Sequence, residues 1–408
     1  MNKAGKNYKF EVIAGDFNSP LARNEIWTSA FFKFPSLLGI SRPVLGIVSC
    51  RNVIEYFADL STWQKCHDEL RSQVLSDYQV VEKIIDRFVA HGEEMNIWTE
   101  KNIFEADLKS LSSQELFDRL EIFSDLQSSE YAIGVAVVIL DFQGFSFVEN
   151  NLEKILRAKV SPEEYLGYYQ VFTQPVHNSF AQDQEEDLLR LMSLYYRDKN
   201  YRDKNWSGAV LNNHLIDLKK GYPNFYNDLV NHTKKHAWVY YVYAGPAFTE
   251  QNFLDFIKDY LVRGINPDKQ LLELADRKKQ FESTKQKYLH ILQPDEFERT
   301  ILNLAGKVVW AKPRRKDFQS KSYYHLEKLY REIGRRLFLS LDQVRSCTQA
   351  MLSNGLRSGE IDQSMANEIY EMHVCLPDEN NEVIVLTGKE AQDFSQTVTR
   401  HNQDMVVS

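Results

Sequence analysis

The sequence predicts a mainly α protein, a multi-helix assembly that closes on a small C-terminal β-hairpin and a short helix. Three observations carry this expectation. Apolar residues recur at steps of three and four over most of the chain. Only 17 Gly and 11 Pro occur in 408 residues, too few turn residues for many short strands. Near the C-terminus the pattern changes to two short apolar runs flanking a PDENN turn.

Each element has a local reason. In residues 62–90, Trp63, Cys66, Leu70, Val74, Tyr78, Val81 and Ile85 follow helical spacing, which predicts one half-buried helix. SSQELFDRLEIF predicts a helix capped by Ser112 or Ser113, with Glu115 at the capping-box position. SPEEYLGYYQVF predicts another, with Ser161 as cap, Pro162 in the first turn and two acids at the positive helix end. Residues 183–197 read as an acidic start followed by an apolar stripe. The tandem YRDKN at 196–200 and 201–205 is too short for a solenoid repeat and fits a loop or helix end. AWVYYVYAGP at 237–246 predicts a buried extended segment or an aromatic-lined turn. Thr249 opens the next helix, Gly264 stops it, and helical patterning resumes through LLELADRKKQFESTKQKYLHIL. MHVCLP and VIVLT predict the hairpin, and Thr387 or Gly388 opens the last helix. The tail HNQDMVVS is expected to be loose. These segments divide into an N-terminal helical region (1–235), a second helical region (236–365) and a hairpin and helix appendage with its tail (366–408).

Composition narrows the function classes. With 43% hydrophobic and 26% charged residues the chain is globular rather than disordered. A net charge of −8 disfavours a protein coated in nucleic acid but leaves room for a local basic patch. Cys50, Cys66, Cys347 and Cys375 lie far apart and form no CxxC pair, which predicts buried thiols in a reduced compartment. The N-terminus has no apolar signal core, and the longest apolar run, AIGVAVVIL at 132–140, is too short to cross a bilayer. A soluble cytoplasmic protein without membrane contact is the expectation.

Few residues offer chemistry. His232 and His236 in HTKKH stand four apart, as a helical zinc pair would. Thr233 replaces the glutamate base of such hydrolases and two lysines intervene, so a surface or interface pair is expected and no metal. TGKEA at 387–391 lacks the upstream glycine and the Ser or Thr of a phosphate loop. GxGxxG, GxSxG and kinase motifs are absent, so no catalytic residue is assigned.

The stretch KSYYHLEKLYREIGRRLFLSLDQVRS at 321–346 stands out. Tyr323, Leu326, Leu329, Tyr330, Ile333 and Leu337 share a helical arc of roughly 120°. Lys321, Lys328, Arg331 and Arg335 gather opposite, within roughly 80°. Lys312, Arg314, Arg315 and Lys316 precede them, giving nine cations against three acids between 312 and 336. One reading is a solvated face with i, i+4 pairs Glu327–Arg331 and Glu332–Arg336. The other is an anion-binding surface, with Lys312, Arg314, Arg315, Lys328, Arg331 and Arg335 as candidates. Ser340 and Gln343 form a capping box for a second helix. The stretch therefore has the length of a helix-turn-helix, with Val344 at a core position. A DNA-reading protein using 312–346 is the alternative function, but Phe338 sits where the tight turn favours glycine.

Three blocks, HAWVYYVYAGPAFTEQNFLDFI (236–257), VVWAKPRRKDFQSKSYYHLEKLYREIGRRLFLSLDQVR (308–345) and VIVLTGKEAQDF (383–394), occur in this order. Together they resemble the helical region before the phosphohistidine domain in phosphoenolpyruvate (PEP) synthase-related proteins of the PEP-utilising group. The resemblance implies an ATP-grasp domain and a swivelling domain with a Thr-x-His-Ala phosphocarrier motif. The latter is expected soon after TGKEA. Neither is recognisable here: the nearest histidines, His373 in EMHVC and His401 in TRHNQ, lack the motif. The resemblance thus implies a catalytically incomplete scaffold with no cofactor of its own. ATP or PEP would enter only with a separately encoded phosphohistidine or nucleotide-binding partner.

Overall fold

The structure, a computed structural model of the 408-residue chain, describes residues 8–140, 146–175, 177–203 and 205–400. Helices dominate, as the periodicity requires. The chain forms two compact units, Met1–Phe147 with Ser322–Ser408, and Val148–Lys321, which cut across the expected segments 1–235, 236–365 and 366–408.

Unit 1 holds a five-stranded antiparallel sheet that the sequence shows only in part. Its strands are β1 (Phe10–Asn18), β2 (Leu45–Cys50), β3 (Val53–Asp59), β4 (Met372–Pro377) and β5 (Val383–Thr387), in the order β1-β3-β2-β4-β5. The expected C-terminal hairpin is present as β4–β5, pairing Pro377 with Val383 across the PDENN turn. It is not a separate appendage, because Ile47 to Cys50 of β2 pair with Cys375 to Met372 of β4. The three N-terminal strands escaped the sequence reading for identifiable reasons. β2 is buried along nearly its whole length and so shows no alternation. β1 is irregular between Val12 and Ala14 and again between Gly15 and Phe17. The β2–β3 turn is Arg51-Asn52, with φ of 48° and 67°, a two-residue positive-φ turn without the usual glycine.

One face of the sheet presents Phe10, Val48, Phe57, Val374 and Leu376 to the terminal helix Gly388–Ser395, through Ala391 and Phe394. Gly46 pairs with Phe57 on this face, and a Cβ there would lie 2.5 Å from the Cys375 carbonyl oxygen. On the other face, Tyr56 stacks on Trp27 of helix Leu21–Ala30, and Trp27 stacks in turn on Tyr131. Tyr131 belongs to helix Ser113–Leu140, which starts at the expected box. Glu115 N–H donates to Ser112 Oγ at 3.2 Å, and Ser112 N–H donates to Glu115 Oε2 at 2.7 Å. The apolar run 132–140 is the end of this longer helix, which by length and composition alone could cross a membrane. In the fold its Tyr131–Leu140 end is almost wholly buried, with Gln127, Ser128 and Glu130 buried beside it.

The helix expected over 62–90 is two helices, Leu60–Ser76 and Val80–Thr99. Asp77 adopts an extended backbone, accepts the Gln79 N–H at 3.0 Å and pairs with Lys83 at 2.7 Å. The apolar spacing continues through this break, which is why the pattern read as one element.

Unit 2 is helical. Helices Phe180–Arg197, Trp206–Asn212, Pro223–His236 and Glu250–Val262 bury Met192, Trp206, Phe225, Leu229 and Phe253 among themselves. Tyr168 of helix Pro162–Thr173 stacks at 3.8 Å on Tyr288 of helix Pro267–Leu292. Gly264 follows helix Glu250–Val262 with φ of 66°, as its expected stop role requires. Residues 237–244 are consecutive turns with Trp238 and Tyr241 buried, so the aromatic-lined turn is the correct alternative there. The first YRDKN ends helix Phe180–Arg197 and starts the short helix Lys199–Asp203, whose last three residues open the second copy. The tail 401–408 lies outside the described residues.

Helix Glu296–Leu337 has 42 residues; those up to Lys321 belong to unit 2 and those from Ser322 to unit 1. It ends at Phe338, whose φ of 54° is left-handed, while the Leu339 N–H returns to the Gly334 carbonyl at 2.9 Å. Phe338 thus takes the left-handed conformation that the turn favours glycine for, and remains 85% exposed. The Ser340–Gln343 capping box forms, and Val344 is fully buried. The helix it starts, Leu341–Arg345, has only five residues.

Candidate functional site

The basic stretch divides between the units. In unit 2, the Arg314 guanidinium lies 3.4 Å over the Phe180 ring and also faces Phe318 and Trp310, a cation–π arrangement. Burial pushes the neighbouring Asp317 carboxyl up to about 6, with the Arg314 charge pulling it down. Lys312 and Arg315 are half-buried on the same helix.

In unit 1 the wheel is reproduced: Tyr323, Leu326, Leu329, Tyr330, Ile333 and Leu337 are all buried. Lys328, Arg331 and Arg335 are exposed, yet each has a partner within the chain. Arg331 meets Glu327 at 2.7 Å and Arg336 meets Glu332 at 2.9 Å, the two pairs expected from spacing. Arg335 donates twice to Glu332, at 2.9 and 2.7 Å. Those bonds, with help from Arg336 and against burial, hold the Glu332 carboxyl down to about 2.

Spacing could not reveal the remaining contacts. Lys328 Nζ donates to the carbonyl oxygens of Phe104 and Ala106, both at 2.7 Å. Arg336 Nη2 donates to the carbonyls of Leu108, Lys109 and Leu111 at 3.3, 3.4 and 2.6 Å. Arg119 adds a bond to the Asn102 carbonyl. Residues 100–111 link helix Val80–Thr99 to helix Ser113–Leu140 through a π turn and a 3-10 turn. The carbonyls of such ends carry partial negative charge and lack intrahelical donors. The basic helix face therefore acts as a clamp on this connector.

The histidines are built into the packing. His373 Nδ1 faces the Ile369 carbonyl at 2.8 Å, so Nδ1 carries the proton and Nε2 accepts from Asn24 Nδ2 at 2.9 Å. Both nitrogens are engaged, and burial pushes the imidazole down to about 4. His401 lies outside the described residues. His232 and His236 share a helix with ring centroids 4.7 Å apart, but they are buried rather than on a surface. Gln184 accepts from the Tyr240 hydroxyl at 2.9 Å and donates to His232 Nε2 at 3.2 Å. Burial, with His236 adding to it, pushes His232 down to about 3. His236 Nε2 donates to Asp187 Oδ2 at 3.0 Å. Burial alone would raise the Asp187 carboxyl, but the bonds from Lys235 and His236 outweigh it and bring it down to about 2. Among the described residues no group of three or more His, Cys, Asp or Glu is placed to hold a metal. Cys66, Cys347 and Cys375 are buried with thiols raised by burial, whereas Cys50 is exposed, against expectation.

Sequence reasoning missed one further feature. In unit 2, helices Phe180–Arg197 and Pro267–Leu292 and residues Gln174, Pro175, His177 and Asn178 bound a polar cleft of about 570 Å³. Glu186 on one helix meets Lys278 on the other at 2.6 Å and also accepts from Asn178 at 2.9 Å. Glu185 accepts from the Tyr260 hydroxyl at 2.9 Å.

No family model matches this chain, and no curated protein matches it.

Proposed function

We propose that the chain is a non-catalytic helical scaffold, of the kind that PEP-utilising phosphotransferases place before their phosphohistidine domain. It would act with a separately encoded phosphohistidine or nucleotide-binding partner, which would bring ATP or PEP. One observation supports this reading best: the basic helix face is spent inside the chain. Lys328 and Arg336 hold the connector carbonyls, and Arg331 and Arg335 hold carboxylates. A surface built to receive a phosphate would leave such donors uncommitted, whereas these, though exposed, already donate to acceptors of the chain itself. The nucleic-acid alternative gains less support, since a five-residue helix is under two turns long and offers little reading surface to a groove.

Titration calorimetry of the chain with PEP, ATP and a duplex of about 20 base pairs at low salt tests the reading. No saturable heat is expected from this face. Tight binding that weakens in Arg331→Ala and Arg335→Ala would replace the scaffold with an anion site.

A further inference from the structure

The two edges of the sheet in unit 1 are built differently. β1 is irregular at two places, and its outer side is occupied. Val12 N–H donates to the Thr399 carbonyl at 3.0 Å, and Thr399 N–H donates to the Phe10 carbonyl at 2.9 Å. Irregularity and cover both keep an edge strand from pairing with another chain. β5, the opposite edge, has neither. Its sequence VIVLT holds no charge and no proline, and its register with β4 is regular from Val383 to Thr387.

The hairpin fixes which backbone groups of β5 look outward. Asp378 N–H donates to the Glu382 carbonyl at 2.9 Å, so the Glu382 backbone faces β4. Direction alternates along an antiparallel strand, so Ile384 and Leu386 face β4 as well, while Val383, Val385 and Thr387 turn their N–H groups away from it. Those outward N–H groups meet no acceptor among the described residues, and all three residues are only part-buried. The flanks of the strand carry opposite charges. Glu382 stands just before it and Lys389 just after it, both exposed and without an ion pair among the described residues. A second β5 laid parallel would set Glu382 beside Glu382. Laid antiparallel about a two-fold axis through Val385, it sets Glu382 of each copy at the Lys389 end of the other. The same register opposes Val385 to Val385, Ile384 to Leu386 and Val383 to Thr387, so outward backbone meets outward backbone and apolar residues meet each other.

We propose that β5 is a self-association edge, pairing antiparallel with β5 of a second copy of this chain so that the two sheets become one. Val383, Val385 and Thr387 supply the backbone bonds, and Glu382 with Lys389 sets the direction. The inference stands apart from the scaffold reading and does not depend on it.

Analytical ultracentrifugation of the full chain tests this. A five-residue edge is a small interface, so the mass should rise from 47.7 kDa toward twice that value over about 1–100 µM. Glu382→Lys and Lys389→Glu should each weaken the dimer about fivefold or more, because each sets like charges together at both ends. The double swap should restore it, a rescue that a mere change in stability would not give. Val385→Pro removes an outward N–H but no bond to β4, so it should leave a monomer with unchanged circular dichroism. Should that variant fail to fold, the charge swap decides alone. The proposal fails if the chain stays monomeric up to about 300 µM, or if a dimer forms whose affinity ignores both single reversals.

Discussion

Truncation of Arg336 to alanine is the sharpest structural test of the clamp. Its guanidinium bonds to Glu332 and to three connector carbonyls, and its side chain is only 17% exposed. Arg335 would still hold Glu332, so the main loss is the charge-assisted bonds to the part-buried Leu108 and Leu111 carbonyls, the Lys109 contact being exposed. Hydrogen bonds involving a charged group contribute about 1.5–3 kcal/mol, and a stranded buried acceptor about 1–3 kcal/mol. Solvent reaches part of the site, so a net loss of about 2–4 kcal/mol is expected rather than the sum. That corresponds to a fall in Tm of roughly 5–15 °C for a region of this size. The control is Arg331→Ala, which removes an exposed pair whose acid keeps Arg345 at 3.2 Å, and should cost under about 1 kcal/mol. Scanning calorimetry with urea melts reads both. Equal effects of the two variants, or no effect of Arg336→Ala, would refute the clamp.

Other outcomes follow from particular residues. His232 sits near 3 when folded and near 6.5 when unfolded, so the unfolded chain binds the extra proton between these values. The contribution of His232 should be full above about pH 6.5 and be lost, by up to about 5 kcal/mol, as pH drops toward 3; His373, held near 4, titrates over part of the same window, so His232→Gln should reduce the slope of the urea midpoint rather than abolish it. Asp187, held near 2, loses its contribution only below about pH 4, a separate acid phase to which Glu332 also contributes and which Asp187→Asn should therefore diminish. Phe338→Gly should stabilise by about 0.5–1 kcal/mol, because the left-handed strain of an L residue exceeds the backbone entropy of glycine and an exposed ring loses little; a lower urea midpoint would show that the ring is held by contacts. Gly46→Ala should cost about 2–4 kcal/mol by driving a methyl against the Phe57 ring and the Cys375 carbonyl, and a wild-type melt would contradict that packing.

What the sequence made legible was local. The apolar arc from Tyr323 to Leu337, the boxes at Ser112–Glu115 and Ser340–Gln343, and the β4–β5 hairpin all depend on neighbours within a few residues. The pairs Glu327–Arg331 and Glu332–Arg336 were visible for the same reason. What spacing hides is long-range. Lys328 meets carbonyls of residues more than two hundred positions earlier, and β2 meets β4 across most of the chain. His373 looked like a stray histidine until Asn24 and Ile369 were placed around it. The cleft stripe of Leu274, Arg277, Lys278, Phe281 and Glu282 mixes apolar and charged residues, so no hydrophobic period marks it.

The central claim, a scaffold that takes up no phosphoryl group itself, is tested most directly by exposing the intact chain to radiolabelled PEP and ATP and measuring acid-labile incorporation. The scaffold account predicts no label above background with either donor. Near-stoichiometric, acid-labile label mapped to a histidine of this chain would contradict it.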